Sequence, residues 1–242
     1  MKHDVKRLDQ WFRRVHREFP KLVRPFAGRP IVYIEIGVWG GAASAYVCQH
    51  VLTHPDSIGY GIDPYNQAAE RRRWDVEEIK HFARNRVHEI VGERYQWIYE
   101  PSSSGLLRLR EILGDRKIDL LYIDGLHLAP DALSDFVLAW PMLHNGSRVI
   151  FDDYVKTRDQ VWPYVRRACA AIEIAYRYRI RPVHRRIQYA LDIIHHETPH
   201  MREQYKPPNI VYPDVAAPHL YSTGELQHGW PKLPQATDSA IS

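Results

Sequence analysis

The stretch 119–154, DLLYIDGLHLAPDALSDFVLAWPMLHNGSRVIFDDY, restricts this chain more than any other. Residues 119–124 form a short apolar run that closes on one carboxylate, Asp124. Residues 148–153 form a second run, which closes on Asp152 and Asp153. Between them Leu133, Phe136, Val137 and Trp140 recur at helical spacing over 130–143, and Asn145-Gly146 reads as the helix stop. Strand, helix, strand at this length is a parallel βαβ unit, whose crossover is almost always right-handed. Parallel strands finish at the same sheet edge, so Asp124, Asp152 and Asp153 are expected to meet where open α/β sheets bind ligands. Acids with little local cation to balance them suit a hard divalent ion such as Mg²⁺. An Asp at a strand end also serves to cap the next helix or turn, and for each acid taken alone that role stays open.

Upstream, 31–36 (IVYIEI) reads as a buried strand that runs into Gly37-Val38-Trp39-Gly40-Gly41 and then a helix over 42–52. Strand, glycine turn and helix form a nucleotide-binding corner, because glycine lets backbone approach a ligand and free helix N–H groups favour negative charge. The glycine spacing is not G-x-G-x-x-G, so a merely tight turn remains an alternative; Glu35 just inside the strand end favours the site. The run 57–62 (SIGYGI) is the next strand and ends at Asp63, an acid placed to accept ribose hydroxyls or to cap its own loop. In the loop 64–74, Arg71, Arg72 and Arg73 form either a solvated face or an acceptor-side clamp. Asp75 is expected to cap a helix reaching about residue 93, with Val76, Ile79, Phe82 and Val87 on its apolar face. Residues 95–99 alternate as a strand. Glu100-Pro101-Ser102-Ser103-Ser104 then precedes a helix over 106–113, with one serine as N-cap and the others free to touch a purine ring.

After Tyr154 a helix is expected over 158–171, with Pro163 tolerated near its start. Ile172, Ile174, Tyr176, Tyr178 and Ile180 alternate, as do Ile187, Tyr189, Leu191 and Ile193, so a β-hairpin turning at 181–184 should close the sheet. At the other end, Val5, Leu8, Phe12, Val15 and Phe19 share one face of a helix over 4–19, which Pro20 ends. That helix has the pattern to pack on the sheet edge, cover a cofactor or join two subunits, so a homo-oligomer stays open. His195, His196 and His200 do not fall on one face and are not read as metal ligands. The expected organisation is an N-terminal helical extension over 1–28, an α/β domain over 29–200 and a Pro-rich tail over 201–242.

Lys and Arg number 33 against 29 Asp and Glu, and a formal charge of +4 is too small to argue for nucleic acid. No basic stripe interleaved with aromatics is read in the sequence, and no nucleic-acid partner is expected. Cys48 and Cys169, the 2 cysteines, lack metal-ligand spacing and read as idle thiols in a reducing compartment. Residues 1–10 lack an apolar signal core and no run reaches membrane-spanning length, so the expectation is a cytoplasmic protein with no membrane partner.

Together these residues resemble the class I S-adenosylmethionine-dependent methyltransferases over about 31–193. The resemblance implies a Rossmann-like, doubly wound α/β fold, with a mostly parallel seven-stranded sheet and an antiparallel C-terminal hairpin. The family's acid-then-glycines motif is matched by Glu35 to Gly41, with Trp39 departing from the usual small residue. Asp63 falls on the ribose-binding acid, and Ser102 and Ser103 fall where a cation-dependent subgroup contacts adenine. The resemblance thus implies a cofactor site of Glu35, Gly37, Trp39, Gly41, Ser44, Asp63, Ser102, Ser103 and Asp124. YIDGLH and FDDY look like the metal-dependent O-methyltransferases of the catechol and macrocin or other sugar type. There the acid after the fourth strand and the pair after the fifth bind Mg²⁺, implying Asp124, Asp152 and Asp153 here. His127 takes the place of a lysine near the acceptor hydroxyl and would act as base beside Asp124; a plain surface histidine is the alternative. The implied activity is methyl transfer from S-adenosylmethionine to a small hydroxylated acceptor, a sugar or polyphenol. A metal-dependent hydrolase of a nucleotide or phosphoester, or a non-catalytic cofactor-binding module, would carry the same acids and glycines.

Overall fold

Strand runs that are apolar on both faces demand cover on both faces, and the chain supplies it with helices on either side of one sheet. The computed structural model describes residues 12, 17–66, 75–154 and 164–194. Five strands are parallel: β1 (Val32–Ile36), β2 (Ile58–Ile62), β3 (Tyr95–Ile98), β4 (Ile118–Ile123) and β5 (Leu143–Phe151). Two antiparallel strands, β6 (Ile180–Arg185) and β7 (Tyr189–Ile193), complete the order β3-β2-β1-β4-β5-β7-β6. The described helices are α1 (Phe19–Val23), α2 (Ala42–His50), α3 (Val76–Val91), α4 (Ser102–Leu113), α5 (Ala129–Ala139) and α6 (Tyr164–Ala175).

One face of the sheet, with Ile34, Leu121 and Val149, packs on Leu109 of α4, Phe136 of α5 and Ile172 of α6. The other, with Tyr33, Leu120, Tyr122 and Ile150, packs on Phe19 of α1, Val47 and Cys48 of α2 and Val87 of α3. Both cysteines are buried, and burial pushes both thiols up, away from nucleophilic chemistry. Strand order reverses between β1 and β4, the switch point at which such sheets open a crevice at their C-terminal edge. Asp75 caps α3 as expected, accepting from the Glu78 amide at 3.4 Å.

Several expectations are corrected. Pro20 does not end a helix; it opens α1, at a first-turn position where no N–H is needed. No serine caps α4: the helix begins at Ser102 with Pro101 at its N-cap, and the Ser104 hydroxyl donates to the Pro101 carbonyl at 3.2 Å. Asn145-Gly146 is no helix stop. Helix α5 gives way to a 3-10 turn over Trp140–Met142, and Asn145 and Gly146 lie inside β5 with Gly146 at φ 93°. The alternation from Ile172 to Tyr178 is not strand. Val165, Ala168, Cys169 and Ile172 are buried at helical spacing, so α6 runs on to Ala175. The hairpin therefore starts at Ile180 and turns at 186–188, which places Pro182 inside the edge strand β6, beside a register shift. The stretch 177–186 is also a basic run missed above: Arg177, Arg179, Arg181, Arg185 and Arg186 are all exposed, with Tyr178 among them. Arg181 pairs with Asp192 at 3.2 Å and Arg185 with Glu173 at 2.8 Å. The helix over 4–19 (Phe12 and 17–19 aside), the arginines at 71–73, Pro163, the histidines at 195–200 and the tail lie outside the described residues.

Candidate active site

The register of the parallel strands aligns the site. Four of the parallel strands, β1, β2, β4 and β5, are followed by a residue whose backbone N–H continues the ladder to a neighbouring strand. Asp63 donates to the Ile98 carbonyl at 3.1 Å, Gly37 to Ile62 at 2.9 Å, Asp124 to Ile36 at 2.8 Å and Asp152 to Ile123 at 3.0 Å. Four of the residues singled out in the sequence thus stand in one row across β2, β1, β4 and β5. A Cβ at Gly37, which holds φ 82°, would overlap the Asp124 carbonyl, so the glycine corner and the acid after β4 touch. Every described non-glycine residue with positive φ lies past the C-terminal end of a parallel strand: Trp39 at 49°, Tyr65 at 48°, His127 at 54° and Asp153 at 51°. Strained backbone gathered at one edge is a mark of a functional site.

The carboxylates converge as expected. Asp124 and Asp152 stand close enough for the charge of Asp152 to act on Asp124. His127 Nδ1 lies 3.3 Å from Asp153 Oδ2 and 3.8 Å from Asp124 Oδ1. Burial first, then the charges of Asp152 and Asp153, holds Asp124 well above the usual carboxylate range. Burial and Asp153 push Asp152 up to about 6. Like charges crowded in this way share a proton or take a cation. Among the described residues no group of three or more acid, histidine or cysteine side chains forms a ready-made ligand set. The donor chemistry nevertheless fits a hard divalent ion: three half-buried carboxylates, all oxygen donors, at adjoining strand ends.

The residues expected to meet the cofactor divide into two layers. Asp63, 6% exposed, accepts from the Val38 and Trp39 amides, both at 2.9 Å, and from the Tyr65 amide at 2.9 Å, tying the loops after β1 and β2 together. Burial pushes Asp63 up, and those amides oppose the shift. Tyr65 adds a bond from its hydroxyl to the Trp39 carbonyl at 2.8 Å, while the Trp39 ring packs on the cluster of Tyr65, Val76 and Ile79. Gly41, at φ 68°, caps α2. Glu35 and Ser44 lie deeper, buried on the α2 side. Glu35 Oε2 accepts from Tyr33 at 2.7 Å and from Ser44 at 2.6 Å, and burial pushes Glu35 up to about 7. Ser102 stands near the buried Asp135 of α5, and burial pushes that acid up to about 6; Ser103 is exposed. Beside His127, a small hollow is lined by Ile123, Gly125, Leu126, Ala132, Asp135 and Val165.

Sequence reasoning missed Tyr122, Asp135 and Gln188. Gln188 Nε2 donates to Asp152 Oδ1 at 2.9 Å and to the Tyr122 hydroxyl oxygen at 3.3 Å. Tyr122 and Gln188 read only as positions in strand runs, and Asp135 as the polar side of a helix. Contacts 36 residues apart leave no local signal.

A mostly parallel sheet of this order, flanked by helices and closed by an antiparallel pair, is the class I methyltransferase fold. The chain belongs to the methyltransferase domain family, whose model matches residues 34–154, from β1 to just past the paired acids after β5. An uncharacterized protein of Acanthamoeba polyphaga mimivirus is 27% identical over 155 residues, which is 63% of this chain and 65% of that protein. The chain thus matches just under two thirds of that relative's length. Among solved structures, the O-methyltransferase TomG of Streptomyces achromogenes, in complex with S-adenosylmethionine, is 18% identical with a TM-score of 0.54, covering 80% of this chain and 92% of TomG. MycE methyltransferase of the mycinamycin biosynthetic pathway, in complex with Mg and S-adenosylhomocysteine, is 15% identical with a TM-score of 0.52, covering 82% of this chain and 57% of MycE. At these identities the likeness is one of fold.

Proposed function

We propose that this chain transfers the methyl group of S-adenosylmethionine to a hydroxyl of a small molecule, a sugar or a polyphenol-like compound, with Mg²⁺ at Asp124, Asp152 and Asp153. The observation that carries this reading is the row of ladder bonds, which puts the glycine corner and the three acids at one edge with His127 against them. Supporting it, TomG and MycE share the fold and bind S-adenosylmethionine and Mg with S-adenosylhomocysteine, respectively.

The reaction is a displacement at carbon: the acceptor oxygen attacks the methyl group, the carbon–sulfur bond breaks toward sulfur, and the hydroxyl proton must leave. The protein's task is therefore mainly alignment, plus removal of that proton. A bound divalent ion would supply orientation of the acceptor and offset its developing negative charge. The chain's own residues supply the rest. Asp153, 3.3 Å from His127 Nδ1, favours the tautomer that donates from Nδ1, leaving Nε2 to accept the acceptor's proton. Leu126 and Leu128, 57% and 44% exposed, flank His127 and offer an apolar rim for a ring face. Gly37 keeps the loop close enough for donor and acceptor to meet over Asp124.

The test is label transfer from S-adenosylmethionine to a panel of sugars and polyphenols with Mg²⁺, with chelator, and in Asp152→Ala. Activity falls by roughly 100-fold or more under either change while S-adenosylhomocysteine still binds. Turnover indifferent to both removes the metal from the account, and absence of turnover with every hydroxylated acceptor removes the O-methyl reading.

A further inference from the structure

The turn between β6 and β7 returns the chain to the sheet edge that carries the acids. The Tyr154 amide anchors it by donating to the Ile187 carbonyl at 2.9 Å, and the Arg186 amide closes it by donating to the Gln188 carbonyl at 2.9 Å. Gln188 follows with 0% of its surface exposed. Both of its side-chain protons are committed, one to Asp152 Oδ1 at 2.9 Å and one to the Tyr122 hydroxyl oxygen at 3.3 Å. With that oxygen accepting, the Tyr122 proton points to Asp124 Oδ2, 3.5 Å away. The other end of the amide, Oε1, is buried and finds no donor among the described residues.

A bare buried acceptor is costly, and folded proteins hold few of them. Rotating the amide would turn Oε1 onto the Asp152 carboxylate, acceptor against acceptor, and strip Asp152 of its donor. The orientation of Gln188 is thus set by what it does for its neighbours rather than by its own satisfaction. A side chain that only filled space here would be better served by leucine. One amide, reaching Asp152 directly and Asp124 through Tyr122, holds the acids after β4 and β5 at once.

We infer that Gln188 is a positioning residue for the carboxylate pair: it pins one oxygen of Asp152 and, through Tyr122, one of Asp124, and leaves the others turned to a shared cation. The inference rests on reading those acids as cation ligands. Groups that hydrogen-bond a ligating carboxylate set its angle, and their loss typically weakens metal binding by about 10–100-fold.

The experiment is calorimetric titration of Mn²⁺, an oxygen-preferring stand-in for Mg²⁺, into the full chain saturated with S-adenosylhomocysteine. Wild type is compared with Gln188→Leu, Gln188→Met and Tyr122→Phe, and S-adenosylhomocysteine is titrated separately into each. Both Gln188 variants are expected to bind Mn²⁺ about 10–100-fold more weakly, Tyr122→Phe a few-fold more weakly, and all to bind S-adenosylhomocysteine as wild type does. Gln188→Met keeps a long unbranched side chain while removing the donor and adding no charge, so it decides the matter should the leucine variant misfold. Undiminished Mn²⁺ affinity in Gln188→Met overturns the inference, as does an equal loss of both ligands in that variant, which marks a merely structural side chain. A wild-type chain that takes up no Mn²⁺ overturns instead the reading of the acids on which the inference stands.

Discussion

His127 holds a left-handed backbone at φ 54°, a conformation histidine tolerates better than most residues, and it spends that strain bringing Nδ1 to 3.3 Å from Asp153. If its role is proton removal, His127→Ala lowers methyl transfer by roughly 10²–10⁴-fold and leaves S-adenosylhomocysteine affinity intact, as single-turnover and binding measurements would show. A loss smaller than about threefold leaves it a surface histidine. Glu35 makes a different prediction, about stability. Its folded pKa of about 7 stands above the ordinary 4.5, chiefly through burial, so the folded state binds the proton more tightly than the unfolded one. The stabilisation is therefore full below pH 4.5 and is lost as pH rises through about 7. Over that window the wild type should lose on the order of 3 kcal/mol more than Glu35→Gln in urea unfolding, the shift converted at about 1.4 kcal/mol per pH unit. Parallel curves for the two proteins contradict an upward shift of Glu35 by burial.

The glycine corner and the acid-bearing loops work as joined segments. At Gly37 a side chain meets the Asp124 carbonyl, and positive φ adds its own penalty, so Gly37→Ala should cost roughly 3 kcal/mol or more in denaturant unfolding. A change within about 0.5 kcal/mol would show that the two loops do not pack as described. Much of this architecture was legible in the amino-acid order. Strands β1 to β4 and helix α3 announce themselves through local apolar runs and the Asp75 cap. The three acids could be placed at one edge because parallel strands end together. Where reading failed, local signals had more than one physical solution. Ile172 to Tyr178 fits period two by letter, but the burial of Val165, Ala168 and Cys169 behind it makes the segment helix. Asn145-Gly146 is a turn signal that β5 absorbs with a positive φ at Gly146. The depth of Glu35 and Ser44 beneath the corner follows from packing between α2 and the sheet, which local patterning does not show.

Taken as a body, the domain is a two-faced sheet whose singled-out acids and glycine corner gather at one edge. Helices bury both faces, so the strands cannot shift register without exposing core, and the ladder bonds to Asp63, Gly37, Asp124 and Asp152 hold that edge in line. Among the described residues no helix is long and apolar enough to cross a membrane. The claim on which everything else depends is that Asp124, Asp152 and Asp153 share one divalent ion beside the methyl donor. It is tested most directly by anomalous diffraction from crystals grown with S-adenosylhomocysteine and Mn²⁺. The account predicts an anomalous peak about 2.1–2.3 Å from oxygens of all three carboxylates, with the nucleoside lying along the Gly37 corner. A peak elsewhere, or none at these acids with the nucleoside bound, would contradict it.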